Sequence, residues 1–195
     1  MPLANTPYRW GWIAMALHWI LAILVLGLTG FGLWMTGLED GLEKFRLYQL
    51  HKSLGVVVFV LVLARLGWRL ANPTPPLPGH LKTWERAAAR FTHAGLYVLL
   101  LAQPLVGWVM SSASPLGIPT KIFGVLPLPD LVAPDEALFD VLVWVHFGIA
   151  MTILALVALH VAAALKHHFV LKDDVLKRML PFTRVPTPGR EGGKP

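Results

Sequence analysis

Four apolar stretches, each long enough to cross a bilayer, constrain this chain more than anything else in it. A helix needs ~20 mostly apolar residues to span the hydrocarbon core. Such stretches fill residues 12–35, 47–66, 91–112 and 137–164. The first has no charged residue. It is not read as a signal peptide, because it lacks a basic n-region and a small-residue cleavage site after a short apolar core. The second has a short strictly apolar run, 54–64, bounded by Lys52 and Arg65, whose long stems can snorkel to the two interfaces. The third holds Pro104, an expected kink. Helices fit these lengths and a barrel does not, because each segment must satisfy its own backbone polar groups. The chain is 55% hydrophobic and 14% charged, against ~25% charged in soluble domains. That excludes an ordinary soluble domain and a disordered chain.

With their flanks, the stretches predict helices over 12–35, 47–70, 84–112 and 137–168. Together they form one transmembrane domain over residues 1–181, an all-α four-helix bundle. The connector NPTPPLPG (72–79) is stiff and cannot continue a helix. Residues 114–134, rich in Pro and Gly, read as an irregular loop, and 182–195 as a flexible cytoplasmic tail.

The charges orient the bundle. Arg9, Arg65, Arg69, Lys82, Arg86, Arg90, Lys166, Lys172, Lys177, Arg178, Arg184, Arg190 and Lys194 fall on one side, with Glu85, Asp173, Asp174 and Glu191. Lys44, Arg46, Lys52 and Lys121 fall on the other, with Glu39, Asp40, Glu43, Asp130, Asp135, Glu136 and Asp140. The sides carry +9 and −3, which make up the chain's +6. By the positive-inside rule both termini are cytoplasmic. The basic balance is therefore topology, and no nucleic-acid partner is implied.

There is no cysteine, which excludes disulfides, iron–sulfur clusters, thiolate catalysis and covalent c-type haem. Eight histidines remain as nitrogen ligands. A lone helical histidine is more often a packing residue than a ligand. Five of them (His18, His51, His93, His146 and His160) lie within or at the ends of spans, where an ionisable group calls for a function.

Their depths pair them. His18 and His160 each lie about six residues, or ~9 Å, from the inner end of their helix. His51 and His146 enter from the outer side. His146 and His160 share a face of one helix, ~21 Å apart. That distance is too great for one metal ion, whose ligands sit ~2 Å from one centre. It suits two stacked b haems, each held by two imidazoles, an electron-transfer arrangement. Small residues one turn away (Ala22, Gly55, Ala150 and Ala164) give room for a macrocycle, although small residues also pack membrane helices together.

His93 lies at the depth of His18. It is read as supporting a haem propionate or a quinone, with ligation as the alternative. His167 and His168 are interfacial residues or a quinone proton relay, and His80 is a solvated loop residue. Propionates are anionic and favour Arg or Lys. Lys52 at the outer level and Arg9, Arg65, Arg69 and Arg90 at the inner level are available, and membrane anchoring explains most of these basic residues.

The segments AMALHWILAILV, LHKSLGVVVFVLVLARLGWRLANPTPPLP, ARFTHAGLYVLLLAQPLVGWVMSS and LHVAAALKHHFVLKDDVLKRMLP occur in order over nearly the whole chain to Pro181. Together they resemble the bacterial cytochrome b561 family. The resemblance implies an inner-membrane protein with two b haems and a ubiquinone site. It implies ligation by the histidines of LHW, LHK, VHF and LHV, here His18, His51, His146 and His160. One branch of the family oxidises superoxide at the outer face and reduces ubiquinone near the inner face. Carried over, the outer haem (His51, His146) accepts the electron. The inner haem (His18, His160) passes it to quinone near Lys166, His167 and His168. Arg46, Lys52 and Lys121 would then attract superoxide, against an outer side that nets −3.

Larger relatives serve as quinone-reactive subunits of hydrogenases and other dehydrogenases, which gives the alternative role. A haem-free transporter or scaffold using histidines for protons or metal is the reading from another class.

Overall fold

Long apolar runs give long helices, because a chain in hydrocarbon must satisfy its own backbone groups. In the computed structural model, which describes residues 2–183, α1 spans Trp12–Thr36, α2 Leu42–Ala71, α3 Thr83–Ala113 and α4 Glu136–Leu165. All four are long and apolar enough to cross a membrane. The chain is an all-α, four-helix transmembrane bundle. At ~1.5 Å per residue, the 30 residues of α2 and of α4 reach through the hydrocarbon into both headgroup layers. α2 begins at Leu42 rather than at residue 47, so its first five residues include Glu43, Lys44 and Arg46. Pro104 lies inside α3, which continues past it to Ala113. The regular part of α4 closes at Leu165 and passes into a π-turn over Lys166–Val170.

Successive helices pack as neighbours: α1 on α2, α2 on α3 and α3 on α4. Among the described residues, α4 makes no comparably close backbone approach to α1 or α2. A core cluster bridges the bundle at mid-height. Leu21 and Val25 of α1 meet Val58 and Val62 of α2 and Ile153 of α4. Leu96, Tyr97 and Leu100 of α3 pack against them. In the apolar windows of the four helices only 6–17% of residues are buried. The remaining apolar surface, including Ile23 and Trp144, therefore needs lipid around it.

The two ends of the bundle differ. At the end called proximal below, the segment before α1, the α2–α3 connector and the stretch after α4 meet. Asn5 donates through Nδ2 to Pro73 O (3.0 Å) and accepts at Oδ1 from Gly11 N–H (3.0 Å). The Arg9 guanidinium donates to Thr183 O (2.5 Å) and Leu180 O (3.2 Å). Trp19 Nε1 donates to Met179 O, and Phe182 meets Trp12 edge-on. Residues 182 and 183 of the expected tail are thus tied to the base of α1. Residues 184–195 lie outside the described residues. A Cβ at Gly11 would run into the backbone of Leu3 and Ala4, so the entry to α1 requires glycine there.

At the distal end, the stretch read as an irregular loop contains a small antiparallel hairpin. β1 (Lys121–Ile122) pairs with β2 (Leu126–Pro127). Its turn holds Phe123 and Gly124 in the left-handed region, at φ 48° and 75°. Ser53 of α2 donates to Gln49 O (2.7 Å) and accepts from Phe123 N–H (2.9 Å), which pins the hairpin to the bundle. Asp135 caps α4, its Oδ1 accepting from Leu138 N–H at 3.0 Å.

Asp135→Ala removes that cap and should cost ~1 kcal/mol, read as a lower thermal unfolding midpoint. Gly11→Ala, which sets a side chain against backbone, should lower the midpoint further. Equal midpoints for parent and Gly11→Ala would contradict this account of the α1 entry.

Candidate haem-binding site

The helical period decides which histidines can face each other. His146 and His160 project from one face of α4. The structure sets His51 of α2 opposite His146, with ring centres 6.4 Å apart and planes at 72°. It sets His18 of α1 opposite His160, with ring centres 6.1 Å apart and planes at 78°. Ile153 lies midway along α4 between the two pairs, in the apolar core.

These spacings have a simple chemical meaning. With metal–nitrogen bonds of ~2 Å, two imidazoles that shared one iron would have ring centres ~6 Å apart. Both pairs meet that requirement. α1 and α2 approach α4 less closely than α3 does, and the imidazoles reach across that wider spacing. Nδ1 of His51 and Nδ1 of His146 are buried with no hydrogen-bond partner among the described residues. Orphaned nitrogens of this kind are costly in an apolar setting. A haem fits this donor set, and ligation would satisfy one nitrogen of each ring.

Two glycines shape the distal pair. A Cβ at Gly32 of α1 would lie 3.2 Å from His51 Cε1, and one at Gly107 of α3 would lie 3.1 Å from His146 Cε1. The small residues picked from the sequence lie on the histidines' own helices. The reliefs that touch the rings lie on neighbouring helices, which no one-dimensional spacing reveals. A Cβ at Gly55 meets nothing within 4 Å, so the space beside His51 is open. Gln103, also missed, donates from Nε2 to His146 O at 3.0 Å and ties α3 to α4 at this level.

His93 stands beside His160, ring centres 5.2 Å apart. Because α3 packs directly on α4, no slot for a macrocycle separates these two rings. Arg65 donates to Ala14 O (2.7 Å), one turn before His18. It shares a small cavity with Trp10, Trp68, Arg69 and Tyr97, and the Arg69 guanidinium lies over the Tyr97 ring. Arg65 thus reaches the proximal level with other donors to spare.

The remaining candidates divide. At the distal end, Arg46 lines an open groove with Gln49, Ser53, Phe123 and Gly124. Lys52 Nζ approaches Thr120 Oγ1 at 3.4 Å, and Lys121 N–H donates to Gln49 Oε1. All three basic residues border the junction of α2 with the hairpin. At the proximal end, Lys166, His167 and His168 do not converge. Lys166 pairs with Glu85 at 2.8 Å, and His167 Nδ1 meets Asp173 Oδ2 at 2.6 Å. His168 Nδ1 is buried without a partner among the described residues. His80, an exposed loop residue as expected, lies 3.3 Å from the same Asp173 oxygen. Burial alone would raise the Asp173 carboxyl. The His167 hydrogen bond, the Val175 N–H and the charges of His167 and His80 outweigh it and hold the group below its ordinary value.

Half-buried imidazoles paired across a four-helix membrane bundle define the frame of a haem-carrying membrane protein. The family model for prokaryotic cytochrome b561 matches residues 9–182. The chain belongs to that family and is a membrane b-type cytochrome, a protein of electron transfer. It is 40% identical to cytochrome b561 homolog 2 of Escherichia coli over 92% of this chain and 95% of that one. It is 32% identical to cytochrome b561 homolog 1 of the same organism, over 85% and 93%. It is 27% identical to a probable superoxide oxidase, CybB, of Yersinia pestis, over 90% and 98%.

Gly107→Val should push the His146 ring aside and lower bound haem per chain, measured by absorbance of the reduced protein. Unchanged haem content in this variant would show that the close approach of α3 to His146 is dispensable.

Proposed function

We propose that the protein holds two b haems, one at each histidine pair, and passes single electrons across the membrane to ubiquinone. The observation that carries this reading is the repetition of one geometry at two heights on α4, ring centres 6.4 Å apart at His51/His146 and 6.1 Å at His18/His160. When bound, each haem supplies a one-electron store. Two imidazoles holding each iron would leave no position for oxygen and would restrict the group to electron transfer. The apolar layer around Ile153 keeps water from the path between the levels. Arg65 at the proximal level and Lys52, next in sequence to His51, would meet the propionates. His93 supports the His160 side.

The excess of basic residues at the proximal end makes that end cytoplasmic and the protein one of the bacterial inner membrane. The donor is superoxide at the distal face, drawn in by Arg46, Lys52 and Lys121. The similarity to a probable superoxide oxidase supports this choice. Two superoxide ions give two O2 and two electrons, and ubiquinone takes these with two protons from the cytoplasmic side. Of Lys166, His167 and His168, His168 is the readiest partner for a quinone oxygen, because its buried Nδ1 is unspent while the other two are paired.

One observation favours a second reading, in which the protein is the quinone-reactive subunit of a separate dehydrogenase or hydrogenase. The distal side nets −3, which repels an anionic substrate and suits a docked protein donor better.

A superoxide-generating system should reduce the haem of the purified protein, and added ubiquinone should reoxidise it. Reduction only through a co-purifying protein would favour the second reading. His51→Ala and His146→Ala should each remove the same haem, and His18→Ala and His160→Ala the other. His93→Ala should retain both; loss of the proximal haem in that variant would reassign the ligand.

A further inference from the structure

We propose that His80, His167 and Asp173 bind a divalent transition-metal ion of the Zn2+ class at the proximal face, separate from the haem pairs and independent of the reading above. The three donors come from three segments: the α2–α3 connector, the π-turn that ends α4, and the chain beyond it. Their ligating atoms all lie within 4.8 Å of one another.

The local backbone presents the carboxylate. Lys172 is held in the left-handed region at φ 53°, and Asp173 N–H donates back to His167 O at 3.1 Å. Asp173 Oδ1 is fixed by Val175 N–H at 3.0 Å. Oδ2 is thereby turned toward both imidazoles, at 2.6 Å from His167 Nδ1 and 3.3 Å from His80 Nε2. Around an ion with bonds of ~2.1 Å, tetrahedral donors sit ~3.4 Å apart. The His80 pair already has that spacing. The His167 pair is a hydrogen bond, and it opens by under ~1 Å when an ion replaces the shared proton.

Two imidazoles and a carboxylate select zinc, nickel or copper over magnesium and calcium, which prefer all-oxygen sites. The side chains of His167 and Asp173 are each 14% exposed and that of His80 is 52% exposed. The site is therefore partly desolvated and open on one side, with room for a water as fourth ligand. Occupied, it would clamp the Pro-rich connector to the end of α4.

Zn2+ should be titrated calorimetrically into the untagged, haem-loaded protein in detergent, with Mg2+ as control. One saturable Zn2+ per chain is expected, with no Mg2+ binding. Asp173→Asn and His80→Ala should each weaken Zn2+ at least tenfold, while the haem spectrum stays that of the parent. No saturable Zn2+ binding, or unchanged affinity in both variants, would overturn the site. So would Mg2+ binding as well as Zn2+. If Asp173→Asn does not fold, His80→Ala decides alone, since it alters a half-exposed side chain.

Discussion

An imidazole inside a membrane has to be used. Hydrocarbon offers no hydrogen bond, so a ring nitrogen facing it loses its water and gains nothing. This chain accepts that cost at the distal level. His51 and His146 bury ring nitrogens without a partner among the described residues, and the two rings face each other. Much of the bundle serves that placement. The helices are long enough to put two levels on one face of α4. The mid-height cluster of Leu21, Val25, Val58, Val62 and Ile153 keeps those levels apart. Gly32 and Gly107 leave space where a methyl group would press on the imidazoles.

The two ends of the bundle solve different problems. The distal end fixes a hairpin against α2 through Ser53, Gln49 and Thr120, so its basic residues stand on an anchored surface. The proximal end ties three segments together with backbone carbonyls and ion pairs. Arg9 reaches Leu180 and Thr183, Arg178 reaches Pro76 O, and Lys166 reaches Glu85. These bonds join residues up to 174 positions apart. The cytochrome's electron-transfer frame is thus closed at both ends by polar contacts outside the apolar spans.

The spans and the facing histidines were legible in the sequence because run length, depth and helical period can all be counted along the chain. Apolar run length gives the crossing, and a 14-residue interval on α4 gives the shared face. What the period does not carry was missed. The hairpin in 114–134 depends on Ser53, some 70 residues away. The glycines against the distal rings sit on helices other than the ligands' own. His80 is the exposed loop residue expected, but only folding brings it to Asp173. The Lys166–His168 run read as one site, whereas the π-turn sends its side chains to different partners.

The central claim is that two histidine pairs hold two haems in one chain. Its most direct measurement is the haem-to-protein ratio of the purified protein, with haem from its pyridine haemochrome and protein from quantitative amino-acid analysis. The account predicts two b haems per chain. A ratio of one, or none, would contradict it.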